Sequence, residues 1–253
     1  MFGKILIAFL CAAPLLRAVP PEAPAGFNAI ILQVIQAMPR DGGYSVASPA
    51  TRLLSESIRL APRGLSVDAS RAVPSYCSGA TYLVFAGVCQ RLIRDGSLSL
   101  SDETLRALLV TGQRDGEGIW GRWNANGPGT ARLFHELDLG RNFTDWDQAR
   151  RGDFMKIFWN NEIGKRERGH SVVFLGTETE DGVDYVRFWS SNKPGGYGEK
   201  RVPRRNVSYA IFSRLENPEN LVRVTRIEPR DAFLASMLTA SASQEEVRKK
   251  CGM

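Results

Sequence analysis

Apolar side chains are densest between Gly79 and Leu92, where Tyr82, Leu83, Val84, Phe85, Val88 and Leu92 are interspersed with the small residues Gly79, Ala80, Ala86 and Gly87. This pattern predicts a helix with a deeply buried side, its small residues allowing close approach to a sheet. Upstream, Gly26 to Met38 and Pro49 to Leu60 carry amphipathic helical spacing on either side of the turn Arg40-Asp41-Gly42-Gly43, while Pro74 and Ser75 suit the start of the next helix. Asp102 to Val110 and Gly129 to Leu139 predict two further short helices. The period then changes: Phe154 to Trp159, Gly169 to Leu175, Val183 to Ser190 and Val207 to Leu215 are short, β-branched and aromatic runs that predict strands. A turn over Glu178 to Gly182 makes the second and third antiparallel. Beyond Leu215, Asn220 to Ile227 reads as an edge strand, and Arg230 to Leu238 and Gln244 to Lys250 as a helical tail. The expected fold class is α+β, a helix packed on a small antiparallel sheet, with extra N-terminal helices and a long inserted loop from Ser97 to Arg150.

Composition changes this picture only at the margins. The 253 residues suffice for one good core, and the formal charge of +6 is modest. The basic runs Lys165-Arg166-Glu167-Arg168 and Lys200-Arg201-Val202-Pro203-Arg204-Arg205 contain an acid or a proline and read as solvated loops, so no nucleic-acid partner is expected. Gly195-Gly196-Tyr197-Gly198 reads as a turn, not a phosphate cradle. Lys4, the apolar run Ile5 to Leu16 and Ala23-Pro24-Ala25 predict a signal peptide over residues 1–25, cut after Ala25, with an uncleaved anchor as the weaker alternative. No stable membrane insertion is then expected after cleavage, and the expected location is secreted or periplasmic. The remaining chain divides into an N-terminal helical lobe (26–74), a core (75–215) and a C-terminal extension (216–253).

Candidate chemistry centres on Cys77. A thiol in the first turn of a helix meets unpaired backbone N–H groups and the positive end of the helix dipole, which favour the thiolate; the plain alternative is a small buried cysteine. His170 opens its strand, and if it pairs opposite Ser190, Asn192 becomes its diagonal neighbour on the same face. The three residues then form a Cys77–His170–Asn192 set in which the histidine moves the proton and the amide orients the ring. A one-residue slip would send His170 and Asn192 to opposite faces. With only two histidines and scattered cysteines, neither a metal site nor a cofactor is expected. Signal cleavage would leave Cys77, Cys89 and Cys251, of which Cys77 is expected to be free; whether Cys89 meets Cys251 is not legible. His135 reads as a helix-surface histidine. In the Ser97 to Arg150 insertion, Trp120 and Trp123 offer rings to a sugar or peptide and Asn124 offers an amide; an ordinary tryptophan-anchored surface loop is the alternative.

The order Tyr76-Cys77-Ser78-Gly79 at a helix start, Arg151-Gly152-Asp153 before a strand, and Gly169-His170 before an apolar strand ending in Leu175-Gly176 resembles the NlpC/P60 branch of papain-like cysteine peptidases. The resemblance runs from about Ser75 to Leu215. It implies a papain-like core, hydrolysis of peptide or amide bonds in bacterial cell-wall peptidoglycan through a thioester, and stem peptides or cross-bridges as partners. Asn192 is similar to the variants that use asparagine as third member. Ser78 is implied to line the substrate side, and Tyr76 stands where many members carry a substrate-contacting aspartate. Two other readings remain: a thioester-using acyltransferase on a related scaffold, and a wall-binding module without activity.

Overall fold

The computed structural model describes residues 26–253, so the expected signal peptide and Cys11 lie outside the described residues. The helices are α1 (Phe27–Gln36), α2 (Ser48–Ser57), α3 (Cys77–Arg94), α4 (Asp102–Ala107), α5 (Gly118–Asn124), α6 (Gly129–Leu137), α7 (Ala232–Ser236) and α8 (Gln244–Lys250). The strands are β1 (Asp41–Gly42), β2 (Ile58–Ala61), β3 (Gly64–Val67), β4 (Gly140–Phe143), β5 (Phe154–Phe158), β6 (Gly169–Glu180), β7 (Val183–Asn192), β8 (Gly196–Pro203) and β9 (Tyr209–Leu215). Seven strands form one antiparallel sheet in the order β1-β8-β7-β6-β5-β9-β4, and β2 and β3 form a separate hairpin. The fold is α+β.

Strand alternation divides the sheet's apolar residues between two clusters. Phe154, Val173, Trp189 and Leu215 join the large cluster built around α3, with Ile31 of α1 and Leu54 of α2 in the same core. Met155, Val172, Phe174, Phe188 and Phe212 belong to the other face, where Trp146 packs edge-on against Phe174 and Phe212. α3 approaches α1 closely because residue 87 is glycine: a Cβ there would meet Val34 Cγ1 at 2.9 Å. Asp153 anchors this arrangement from within the core. Its carboxylate accepts from Arg214 Nε (2.8 Å) and Nη2 (2.7 Å), from Asn28 Nδ2 (2.8 Å) and from the Arg150 N–H (2.7 Å), joining β5 to β9 and α1. Gly152 beside it has φ +95°, and a Cβ would fall 2.7 Å from Asn28 O.

Several expectations need correction. The Pro49 to Leu60 helix stops at Ser57 because Ile58–Ala61 pairs with Gly64–Val67 as a hairpin. α3 starts at Cys77 with Tyr76 as N-cap, not at Pro74 or Ser75. The Ser97 to Arg150 insertion holds the two expected helices as α4 and α6, but the rest is not irregular: it adds α5 and β4, and it contributes Trp120, Trp123 and Phe134 to the main core. Glycines disguise α5, yet Gly121, like Gly129 at the start of α6, is required, since a Cβ at either would collide with the carbonyl oxygens of Arg114 and Arg122 respectively. Gly196–Pro203 is a strand rather than a turn and a loop, with Gly195 left in the turn before it and Arg204–Asn206 in a 3₁₀ turn after it; Arg201 and Glu199 project outward to Glu178 and Arg187. Asn220 to Ile227 is not an edge strand; Pro218–Arg226 is 3₁₀, the geometry that stacks Leu221, Val224 and Ile227 on one face at a spacing of three. The β6–β7 turn is shorter than expected, just Asp181 and Gly182 with φ of 50° and 74°, the conformation a two-residue type I′ hairpin needs.

Candidate functional site

Cys77 is the first residue of α3, preceded by an extended Tyr76 that supplies no side-chain cap, so the first-turn N–H groups are left for the thiol and whatever approaches it. His170 is the second residue of β6 and Asn192 the last of β7. The β6–β7 pairing has Val173 opposite Trp189, and continued to the strand ends it sets His170 opposite Asn192 itself. The expected partner was Ser190. The two-residue difference is even, so both side chains stay on one face and the contact survives.

His170 Nε2 lies 3.1 Å from Asn192 Oδ1. The amide is oriented by its own nitrogen, which donates to the carbonyls of Gly198 (2.8 Å) and Ser190 (3.2 Å), leaving the oxygen toward the ring. An acceptor there requires a proton on Nε2, and Nδ1 becomes the ring atom available to a thiol. Phe188 (5.7 Å) and Trp159 (6.2 Å) flank the imidazole. Where β7 leaves β6, Ser190 Oγ donates to Ser171 O at 2.7 Å.

Among the described residues, the half-buried Cys77 is the one cysteine whose thiol is acidified. Burial pushes it up, but the hydrogen bond and charge of His170, a backbone hydrogen bond from Ser171 and the charge of Lys156 outweigh burial and bring it to about 6. Cys89 and Cys251 are buried without such partners, and burial pushes both to about 12. They sit in different apolar clusters and are not bonded to one another.

Two contributors escaped the sequence reading. Tyr44 lies in the segment after β1 that bridges to Ser75, and its hydroxyl donates toward Cys77 Sγ at 4.0 Å. Burial raises the Tyr44 phenol strongly, with the neighbouring thiol adding to the effect, so it is a proton donor across the neutral range. Lys156 of β5 is held by Glu167 at 2.7 Å, whose carboxylate also accepts the N–H groups of Gly127 (2.5 Å) and Gly164 (2.8 Å). Neither had a local signal, because Tyr44 reaches the site across 33 residues of chain and Lys156 interrupts an otherwise apolar strand.

The expected substrate-binding residues divide. Ser78 Oγ donates to Asn124 Oδ1 at 2.6 Å, so these two stand together beside the nucleophile and tie α3 to the end of α5. Tyr76 and Trp123 are instead buried core residues that present almost no surface to a substrate: 7% and 1% exposed. Tyr76 bonds Thr51 through its hydroxyl and meets Trp120 edge-on; Trp123 donates from Nε1 to Thr81 Oγ1 and stacks on Phe85. Trp120 is likewise buried. Burial of a large ring against α3 outweighs any gain from leaving it at a cleft wall. His135 is exposed on α6, remote in sequence and packing from Cys77.

A cleft of about 450 Å³ opens on the His170–Asn192 side, between Tyr44, Trp159, Phe188 and Lys200. Among the described residues no three His, Cys, Asp or Glu side chains converge as metal ligands, and no helix is long and apolar enough to cross a membrane.

Fold and site together describe an α+β protein in which a helix-borne, acidified thiol faces a strand-borne histidine–asparagine pair. Comparison with protein-family models, curated proteins and solved structures finds no significant match.

Proposed function

We propose that the protein is a cysteine hydrolase of the papain-like, NlpC/P60-type class that cleaves peptide or amide bonds of bacterial cell-wall peptidoglycan, acting outside the cytoplasm after export. The observation that carries the thiol chemistry is the placement of Cys77 at the first turn of α3 beside a His170 ring whose Nε2 is engaged at 3.1 Å by Asn192, an arrangement that lowers the thiol below its ordinary range. The wall substrate rests on the motif order of residues 75–215.

In the proposed reaction Cys77 Sγ bonds to the scissile carbonyl carbon and the carbonyl π pair moves to oxygen. The helix N–H of Cys77 and the Tyr44 hydroxyl are the donors next to that oxygen. The pair returns as the C–N bond breaks, and His170 gives its proton to the leaving nitrogen. Water then attacks the thioester while His170 takes its proton, and breaking the C–S bond regenerates the thiolate and frees a carboxylic acid. Ser78 and Asn124 border the nucleophile on its helix side.

The test is digestion of purified peptidoglycan by the protein from residue 26 onward and by its Cys77→Ala variant, with products resolved by mass. New amine ends with the active protein alone are expected, and their masses identify the bond. An undigested wall, or equal digestion by Cys77→Ala, overturns the proposal.

A further inference from the structure

The cleft beside His170 is unusual in its charge. Arg168, Lys193 and Lys200 line it, and none of the three makes an ion pair among the described residues. Its one acid, Glu167, is already engaged by Lys156. Each cation is placed by the elements that build the site. Arg168 stands two residues before His170, with its backbone fixed by Trp159 N–H to Arg168 O at 2.8 Å. Lys193 directly follows Asn192 and rests its ammonium over the Tyr44 ring, 5.2 Å from the centroid. Lys200 is the register partner of Phe188, which puts it on the sheet face that carries His170. Trp159, Phe188 and Val202 supply an apolar wall. Cations elsewhere on this sheet are neutralised across strands, as Arg187 is by Glu199 and Arg201 by Glu178. Three left unpaired around one concavity suit an anion carried by a group with some apolar surface.

The side of the cleft says which half of a substrate would bring it. In the hydrolysis proposed above, on which this step rests, the thiolate holds the acyl half and His170 protonates the departing amine, so the amine-bearing half must lie on the imidazole side. The cleft opens on that side. We propose that Arg168, Lys193 and Lys200 form a subsite for a carboxylate on the amine-bearing half of the substrate, close to its newly freed amino group.

The subsite can be tested without turnover, so its failure and that of the hydrolase reading are separable. Calorimetric titration of the full chain would compare the dipeptide Ala-Ala, which carries the free amine and carboxylate of such a leaving half, with Ala-Ala amide, alongside inorganic phosphate. The acid is expected to bind roughly tenfold more tightly than the amide, the scale of a few solvent-screened charge contacts acting together. That preference should disappear in Lys193→Gln/Lys200→Gln and persist in Lys249→Gln on the distant α8. Equal binding of acid and amide, no binding of either, or a preference that survives the double substitution overturns the proposal. Phosphate binding as tight as the dipeptide's overturns it too, by making the cleft a general anion site.

Discussion

In the proposed hydrolysis Cys77, His170 and Asn192 have unequal tasks, and their substitutions should rank accordingly. Cys77→Ala removes the nucleophile and His170→Ala the proton carrier, so both should abolish turnover of a synthetic stem peptide. Asn192→Ala leaves the ring in place but frees its Nε2, and turnover should fall by about 10- to 1000-fold, less than for His170→Ala. Asn192→Gln should not restore it, since the Asn192 nitrogen is fitted to the carbonyls of Gly198 and Ser190 and a longer chain displaces the oxygen. Tyr44→Phe keeps the ring under Lys193 and deletes only the hydroxyl near Sγ. Its turnover should fall by roughly 100-fold, the scale of losing one oxyanion donor. Steady-state kinetics of these five variants and of His135→Ala, which should be silent, on one substrate checks the ranking; a silent Asn192→Ala or a damaging His135→Ala would contradict it.

At the scale of elements, α3 and the strands β5, β6, β7 and β9 were legible because each holds a dense apolar run with a marked approach: the Tyr76-Cys77-Ser78-Gly79 entry, the Arg151-Gly152-Asp153 approach and the turn expected over Glu178 to Gly182, which the paired strands narrow to Asp181 and Gly182. The elements that escaped lack a plain apolar run of their own. β8 alternates charge outward and reads as a loop until β7 pairs with it, and α5 hides its two buried tryptophans among glycines that exist for backbone clearance. The His170–Asn192 contact was foreseen with a register two residues off, and it held because only odd shifts change the face. Trp123 was assigned to a substrate and belongs to the core, so Trp123→Ala should act on stability, by about 3–5 kcal/mol. Asp153→Ala should cost a similar amount, about 3–5 kcal/mol, because it leaves the nearly buried Arg214 without its carboxylate. Denaturant unfolding measures both, and a loss under 1 kcal/mol, below the usual range for such core losses, would contradict the packing described.

At the scale of the whole molecule, the site is an assembly of remote pieces. α3 delivers the thiol from the core that runs from α1 to the 3₁₀ segment at Leu221, β6 and β7 bring the histidine and asparagine, with Phe188 and Trp159 of the second apolar cluster flanking the histidine, the segment after β1 supplies the tyrosine, and β5 the lysine. The consequence of that convergence is one acid thiol among the three described cysteines: Cys77 at about 6, Cys89 and Cys251 at about 12. The sign follows directly. The thiolate of Cys77 persists above pH 6 and is lost on acidification below it, while the other two stay protonated and buried across that range. The most direct measurement is the rate of iodoacetamide alkylation at each cysteine from pH 4 to 10, resolved by mass, in the native protein and in His170→Ala. Cys77 is expected to react first with an apparent pKa near 6, Cys89 and Cys251 to stay unmodified, and His170→Ala to move the Cys77 value up toward the ordinary thiol range. A Cys77 titration near 9 in the native protein, or one unmoved by His170→Ala, would contradict this expectation.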